Sequence, residues 1–277
     1  MIDTVDLKQK VKAHWEHEVC GSRNASASLP DRRDFYNQID KTRYEQDYMI
    51  GEFAQFEQAR GKKVLEIGLG TGADFSRWAR AEAIAYGRDL TEASVRMVKE
   101  RLALDDLTAD VAVGDAENLK EFEDDFFDIY YSWGVLHHTP NPEKAFAEAY
   151  RVLKPGGTLK IMLYHYPSVS ALLIWLLYGP LRLNMTGPRE CYAKNVESIG
   201  TKIYTAKQAK EQLGKYFKKE SITTRTYLGP GDLLNHNFSE KYRAAHWRLI
   251  TALYPTWFIK HVVGHRFGTV LTITATK

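Results

Sequence analysis

The segment Val64 to Gly72, VLEIGLGTG, constrains the fold more than any other stretch of the chain. A short apolar run enters three glycines at alternate positions, Gly68, Gly70 and Gly72. It leaves them into Ala73 to Ala81, where Phe75, Trp78 and Ala79 recur at helical spacing. Glycines here supply backbone angles that L-residues avoid and leave room for a ligand against the main chain. Strand, glycine turn and helix in this order serve nucleotide-like ligands at a helix N-terminus, and also occur as a tight turn with no ligand. The turn alone leaves both readings open.

Strand and helix patterns alternate beyond it. Ala83 to Gly87 reads as a second strand and Thr91 to Leu104 as a helix with Val95, Val98 and Leu102 inward; Val111 to Val113 and Phe127 to Trp133 read as the third and fourth strands. Pro142 to Leu153 is a helix marked by Asn141 as cap, Pro142 at its first position and Glu143 in its first turn. After a turn at Lys154 to Gly157, Thr158 to Tyr164 is the fifth strand. Strands separated by such helices pair in parallel through right-handed crossovers, with helices on both faces. Ligands of these sheets bind at the carboxyl ends of the strands, where the order reverses.

The pattern differs at both ends. Leu7 to Val19 and Arg33 to Ala59 read as helices around a loop at Cys20 to Pro30. Thr205 to Phe217 reads as a helix and Glu220 to Tyr227 as a strand, and Gly268 to Thr276 alternates as a closing strand. The expected organisation is a helical extension over 1–60 and a sheet domain over 61–277, with cap segments inserted at about 166–204 and 228–264.

Two acids refine the glycine turn. Asp89 follows the second strand, about 20 residues beyond Gly68, where a carboxylate can accept both ribose hydroxyls. A 2′-phosphate would meet that negative charge. Arg88 beside it reads equally as a solvent-facing group or a salt-bridge partner. Asp115, in Gly114-Asp115-Ala116-Glu117 after the third strand, reads as an acceptor for an adenine amino group or as a turn cap. The three elements together describe an adenosine pocket.

Composition narrows the partners. Lys and Arg number 38 against 35 Asp and Glu, a formal charge of +3, and the basic residues alternate with acids, so nucleic acid is not an expected partner. Two cysteines, Cys20 and Cys191, make neither a disulfide scaffold nor a metal site, and no metal is expected. The segment MIDTVDLKQK lacks the order of a secretory signal, which points to a cytoplasmic setting. No apolar run reaches the roughly 18 residues that would span a bilayer.

From Gly61 to His165 the chain resembles the class I, Rossmann-like S-adenosylmethionine-dependent methyltransferases of small molecules, the group that includes the ubiquinone and menaquinone biosynthetic enzymes. The matching stretches are VLEIGLGTGADFSRWA, YGRDLTEASVRMVKERL and the long block from Val113 to His165. The resemblance implies an α/β three-layer sandwich with a seven-stranded, mostly parallel sheet and an antiparallel final strand, which Gly268 to Thr276 would supply. It implies S-adenosyl-L-methionine as cofactor and S-adenosyl-L-homocysteine as product. Glu66, Gly68, Gly70 and Gly72 would serve the methionine end; Asp89 and Leu90 the ribose; Asp115, Ala116 and Glu117 the adenine; Ser132 and Trp133 the surroundings of the sulfonium.

The expected activity is methyl transfer to an oxygen, nitrogen or carbon nucleophile of a small hydrophobic or aromatic metabolite. His137 and His165, each just past a strand end, are the candidate bases, against the plainer reading of each as a group that shapes a pocket. Tyr164, Tyr166, Tyr227, His236 and Trp247 are the candidate acceptor-binding residues, as aromatics with a few polar groups suit a small-molecule pocket. The apolar run Val169 to Tyr178 reads as a buried helix anchoring the cap, as a wall for a lipid-like acceptor, or as a membrane-surface or homodimer helix. A nicotinamide oxidoreductase would space its glycines as GxGxxG, where this chain has GxGxG. A noncatalytic binding or scaffold protein on the same fold, or an RNA methyltransferase without the usual base-methylation motifs, are the competing classes.

Overall fold

The computed structural model describes residues 4–26, 29, 31–182, 186–196, 200–233 and 254–277. Seven strands form one sheet: β1 (Lys63–Ile67), β2 (Ile84–Asp89), β3 (Asp110–Val113), β4 (Phe127–Trp133), β5 (Leu153–Tyr164), β6 (Thr223–Tyr227) and β7 (Val270–Thr276). Their order is β3-β2-β1-β4-β5-β7-β6. The first five pair in parallel, and β7 runs antiparallel between β5 and β6. The order reverses between β1 and β4, so the carboxyl ends of those two strands open the crevice in which such sheets bind ligands.

Helices cover both faces. On one, α4 (Ala73–Arg80) and α5 (Glu92–Leu104) bury Phe75, Trp78, Val95, Val98 and Leu102 against Val64, Ala85 and Ile129. On the other, α6 (Pro142–Val152) and α9 (Ala206–Leu213) bury Phe146, Ala149 and Leu213 against Leu65, Leu159 and Ile161. This is the expected three-layer sandwich with its antiparallel final strand. Phe75 and Trp78 are fully buried, and truncating either to alanine costs about 3–5 kcal/mol by loss of transfer energy and an unfilled cavity.

Segment boundaries mostly match expectation, with informative exceptions. The long helix expected over 33–59 is three pieces, α2 (Arg32–Gln46), α3 (Ile50–Ala54) and a 3-10 turn at Phe56–Ala59. The break turns Met49 and Ile50 into the interior, where Met49 meets Met162 and Val270, and Gln55 ends α3 in the left-handed region with φ 58°. The turn expected at Lys154 to Gly157 is the start of β5, since Leu153 already pairs with Phe127 and Gly156 and Gly157 bond to Lys277.

The preceding helices lie on the sheet domain. Phe35, Tyr36 and Ile39 of α2 pack on Ala73, Met97 and Leu104. Glu16, on α1 (Thr4–His17), accepts hydrogen bonds from the N–H groups of Glu92 (2.9 Å) and Ala93 (3.0 Å) at the start of α5, an anion at the positive end of a helix. The inserted helices α7 (Val169–Tyr178) and α8 (Pro188–Asn195) pack on each other through Ala171, Ile174, Cys191, Tyr192 and Val196. Among the described residues no helix is long and apolar enough to cross a membrane.

Candidate functional site

A cavity of about 680 Å³ opens at the switch point, within the range of small-molecule sites. Its floor is the glycine turn from Gly68 to Thr71; Gly72, expected at the cofactor, does not line it and sits against Val98 of α5 instead. Gly68, Gly70 and Gly72 all have positive φ, at 80°, 51° and 75°. A Cβ on Gly68 would lie 2.1 Å from Val135, and one on Gly70 would lie 2.9 Å from the carbonyl oxygen of Cys20. The turn is thus pressed between the β4 loop and the N-terminal segment, and only glycine fits.

Asp89 holds this turn in place. One of its carboxylate oxygens accepts from the N–H groups of Leu69 (2.7 Å) and Gly70 (3.3 Å), the other from the N–H (2.9 Å) and hydroxyl (2.7 Å) of Thr91. It lines the cavity with Leu90. A ribose hydroxyl would share oxygens that already organise the loop. Arg88 is buried and salt-bridged to Asp110 (2.9 Å) and Glu121 (3.2 Å), which commits its charge.

Beside the turn lies a buried charged group. Asp74, in the first turn of α4, accepts from Arg43 Nε (3.0 Å) and Nη2 (2.5 Å), Tyr44 (2.9 Å) and Tyr131 (2.8 Å). Burial alone would push its carboxyl up, but Arg43 and the two phenols hold it below the ordinary carboxylate range. Glu66, at the end of β1, has less such help, as Arg43 and the Trp78 indole pull its carboxyl down but are outweighed. Burial, and then the neighbouring Asp74 carboxylate, push it well above the ordinary range. Its Oε2 is buried with no hydrogen-bond partner, although the residue lines the cavity. An orphaned buried carboxyl oxygen is costly unless a donor or cation completes it. The ammonium of a methionyl group is such a partner, so this end fits the cofactor expected from sequence.

The Asp115 end is occupied by a residue the sequence did not single out. Lys8 of α1 donates to Asp115 (2.7 Å) and Glu117 (2.8 Å). Burial would lower the Lys8 ammonium, yet the two carboxylates hold it above its ordinary value. The other oxygens of these acids accept from backbone N–H groups, Asp115 from Glu117 (2.9 Å) and Glu117 from Asn141 (2.6 Å). Asp115 and Ala116 line the cavity; Glu117 braces them from behind. Nothing in the spacing of Lys8, Lys10 and Lys12 marks Lys8.

The far wall combines apolar and aromatic groups: Val11 and Trp15 from α1, Trp133, Val135, Met162, Tyr164, Val196 and Val270, with Pro230, Gly231 and Thr269. Two histidines line it: His14 of α1, which is exposed, and the buried His138, its Nδ1 3.1 Å from the Thr201 hydroxyl and its ring 5.7 Å from that of Trp15. His137 lies behind the wall. It is fully buried against Tyr164, with neither ring nitrogen hydrogen-bonded, and burial, then His138 and Lys202, push its pKa well below the ordinary value. His165 is also off the cavity, with Nδ1 2.9 Å from the Gly268 carbonyl, which fixes its ring. Of the expected bases, then, geometry brings neither to the cavity, because the turn after β4 points its second histidine inward rather than its first.

The remaining expectations divide. Tyr164 lines the cavity. Tyr166 packs with α7 and α8, and Tyr227 packs behind Met162 and Val270. Ser132 is buried, donating its hydroxyl to Ile67 O (2.9 Å), and is not a lining residue. His236 and Trp247 lie outside the described residues. Helix α7 is likewise absent from the lining, so it is a cap-anchoring helix on its buried face rather than a wall of the pocket.

Asp232 is a further group that sequence reasoning missed. Fully buried, it accepts five hydrogen bonds: from Ser170 N (3.0 Å) and Oγ (2.7 Å) at the start of α7, from Thr269 N (2.6 Å) and Oγ1 (2.7 Å), and from Gly229 N (2.9 Å). It ties the cap helix to the loop and strand end that line the cavity. The turn sequence Gly229-Pro230-Gly231-Asp232 was its only local signal.

Comparison with known proteins agrees with this geometry. Residues 65–161 match the family profile described as a methyltransferase domain. The chain is 39% identical over 99 residues, 35% of its length and 36% of the relative's, to the phthiotriol/phenolphthiotriol dimycocerosates methyltransferase of Mycobacterium tuberculosis. It is 35% identical over 149 residues to the ubiquinone/menaquinone biosynthesis C-methyltransferase UbiE of Dinoroseobacter shibae, covering 50% of this chain and 59% of that one. These matches therefore span about a third of the first relative and less than two thirds of the second. Among solved structures, the [4+2]-cyclase SpnF superposes with a TM-score of 0.60 at 17% identity, over 98% of this chain and 96% of that one, a likeness of fold. The profile match begins in β1 and ends in β5, so it contains the glycine turn, Asp89 and Asp115, and this stretch of the chain is similar to methyltransferase domains.

Proposed function

We propose that the protein transfers the methyl group of S-adenosylmethionine to a nucleophile on a small, largely apolar acceptor. The observation that carries this is one continuous cavity whose floor is the glycine turn with the orphaned Glu66 carboxyl and whose far wall is aromatic and apolar. When bound, the cofactor supplies a methyl already activated on a sulfonium. Glu66 would receive its ammonium, Asp89 and Leu90 would flank its ribose, and Asp115 and Ala116 its adenine. Trp133, Met162, Tyr164 and Val270 orient the acceptor and exclude water, which is the main task in an in-line displacement.

Of the two lining histidines, His14 is exposed while His138 is buried with its Nδ1 held by Thr201, so proton removal falls to His138. Thr201 comes from the segment after α8, so the base is oriented by the inserted part of the chain. The carbon, oxygen or nitrogen identity of the nucleophile follows from the acceptor and not from these residues. The SpnF likeness is a reminder that a fold does not dictate a reaction.

Turnover tests the reading. Purified protein given labelled S-adenosylmethionine and a cell extract should form S-adenosylhomocysteine and one product heavier by a methylene, detected by mass spectrometry. A His138→Ala variant should lose roughly 10²-fold or more in kcat, as expected for a general base, with S-adenosylhomocysteine affinity unchanged. Formation of neither product by wild-type protein that binds the cofactor would favour a noncatalytic role.

A further inference from the structure

The cap carries a second surface that the methyl-transfer reading does not use. Helix α7 buries Val169, Ala171 and Ile174 but leaves Leu172 and Leu176, one turn apart, 53% and 40% exposed. It meets the segment formed by α10 (Thr256–Phe258) and the π-helical turn Ile259–Val263 in a shared cluster, where Val169 and Leu173 pack with Ile259 and Val263. That segment exposes Trp257 (69%), Phe258 (46%) and Val262 (59%). Five large apolar side chains on two packed helices are more than scattered surface residues, and clusters of this kind mark interaction sites.

Charge selects the partner. Acids and bases are nearly balanced over the whole chain, yet the sequence has no Asp or Glu from Tyr166 to Arg189 and none from Lys241 to Lys277. Among the described residues, the cationic or imidazole groups beside the exposed apolar residues in sequence are Lys260, His261 and Arg266, all exposed. A second copy of the chain would bring this face against itself across a two-fold axis and set cation against cation. An anionic bilayer surface instead supplies both what the apolar groups and what the cations lack. Tryptophan and phenylalanine beside lysine and arginine suit the headgroup boundary.

We propose that α7 and the 256–263 segment form a docking face for an anionic lipid surface, on which the protein lies without spanning it. The face is coupled to the cavity. Leu228 packs under Val169 and Ile259, while Pro230 and Gly231 of the same loop line the cavity and Asp232 ties that loop to Ser170 of α7. A protein so placed sets its cap against the membrane, from which an apolar acceptor can enter without crossing water. Docking itself does not depend on the methyl-transfer reading.

Vesicle flotation tests it. Full-length protein should float with vesicles of phosphatidylcholine containing about a third phosphatidylserine, at least about fivefold less with phosphatidylcholine alone, and similarly less when salt rises to about 0.5 M. The double variant Leu176→Glu, Trp257→Glu should lose flotation by about tenfold while its S-adenosylhomocysteine affinity, read by calorimetry, stays that of wild type. Equal flotation by the variant, or none by wild type on anionic vesicles, overturns the proposal. So does a wild-type dimer in light scattering that the variant converts to monomer without any lipid binding, which would assign the face to a second copy. Cofactor binding is measured separately, so a failure there bears on the methyl-transfer reading alone.

Discussion

The two ends of the cavity are built in different ways. The cofactor end rises from consecutive strand ends within one stretch, β1 to β4, and its key bonds are backbone to carboxylate: Asp89 to Leu69 and Gly70, and Gly68 N to Arg88 O at 2.8 Å. The acceptor end is assembled from α1, the turn after β4, the end of β5, the segment after α8 and the loop before β7, which are far apart in the chain. The first is rigid by topology. The second is held by a few long-range contacts, of which the Asp232 clasp is the most connected. Methyl donor and methyl acceptor can therefore vary independently, and a variant can damage one end and spare the other.

The largest break in that independence is expected at Gly70. Its φ of 51° and the 2.9 Å approach to Cys20 O leave no room for a β-branched side chain, so Gly70→Val must distort the turn or push away the N-terminal segment. S-adenosylhomocysteine affinity should fall by roughly 10²-fold or more in calorimetry while circular dichroism keeps the wild-type helix content, because the strain is local, on the order of 1–3 kcal/mol. Unchanged affinity would remove this turn from the site.

This contrast also explains what the sequence could and could not convey. β1 and β4 fall where their apolar patterns do, and the parallel part of the sheet follows from strand and helix alternation, whereas the antiparallel last strand came from the family resemblance. The glycine turn and Asp89 were legible because a contiguous motif carries its own geometry. His138 was hidden behind His137, since adjacent residues in a tight turn differ only in direction. Lys8, Trp15 and Arg43 reach the cavity from helices whose sequences record an amphipathic face and not the neighbour it meets. The broken helix at Met49 was illegible for the same reason, as the nearby Gly51 lies inside α3 rather than at the break, and the packing of Met49 on Met162 and Val270 accompanies it.

At the acceptor end the sharper probe is Asp232. An asparagine there presents an N–H group to donors from Ser170, Thr269 and Gly229, and removes a charge at the N-terminus of α7. The cost is about 2–4 kcal/mol for a buried carboxylate with several hydrogen bonds. Because the clasp fixes Pro230, Gly231 and Thr269, Asp232→Asn should raise the acceptor KM by roughly tenfold, about 1.4 kcal/mol and so less than the stability cost, and leave S-adenosylhomocysteine affinity within about twofold. An equal loss at both ends would mean that the cap and the glycine turn are one mechanical unit.

The smallest effect tests whether charge at the cofactor end is tuned by burial, and Glu66 is the group that reports it. Its folded-state pKa is raised, by burial first and the Asp74 carboxylate second, above the ordinary glutamate value of 4.5. A raised carboxyl contributes stability that is full below the unfolded pKa and is lost as pH rises toward the folded one, since the unfolded chain releases the proton more readily. Asp74, Glu100, Asp128 and Glu148 are shifted downward and act in the opposite sense, so the whole-protein profile mixes both. Glu66→Gln isolates the term, because the amide matches the protonated carboxyl in shape and does not titrate. Ligand-free wild type and variant should melt together near pH 4, and the variant should gain by a few degrees as pH rises to about 7, each pKa unit being worth about 1.4 kcal/mol. A constant difference between the two melting curves across that range would mean that Glu66 is ionised in the folded protein, and that Arg43 neutralises it together with Asp74.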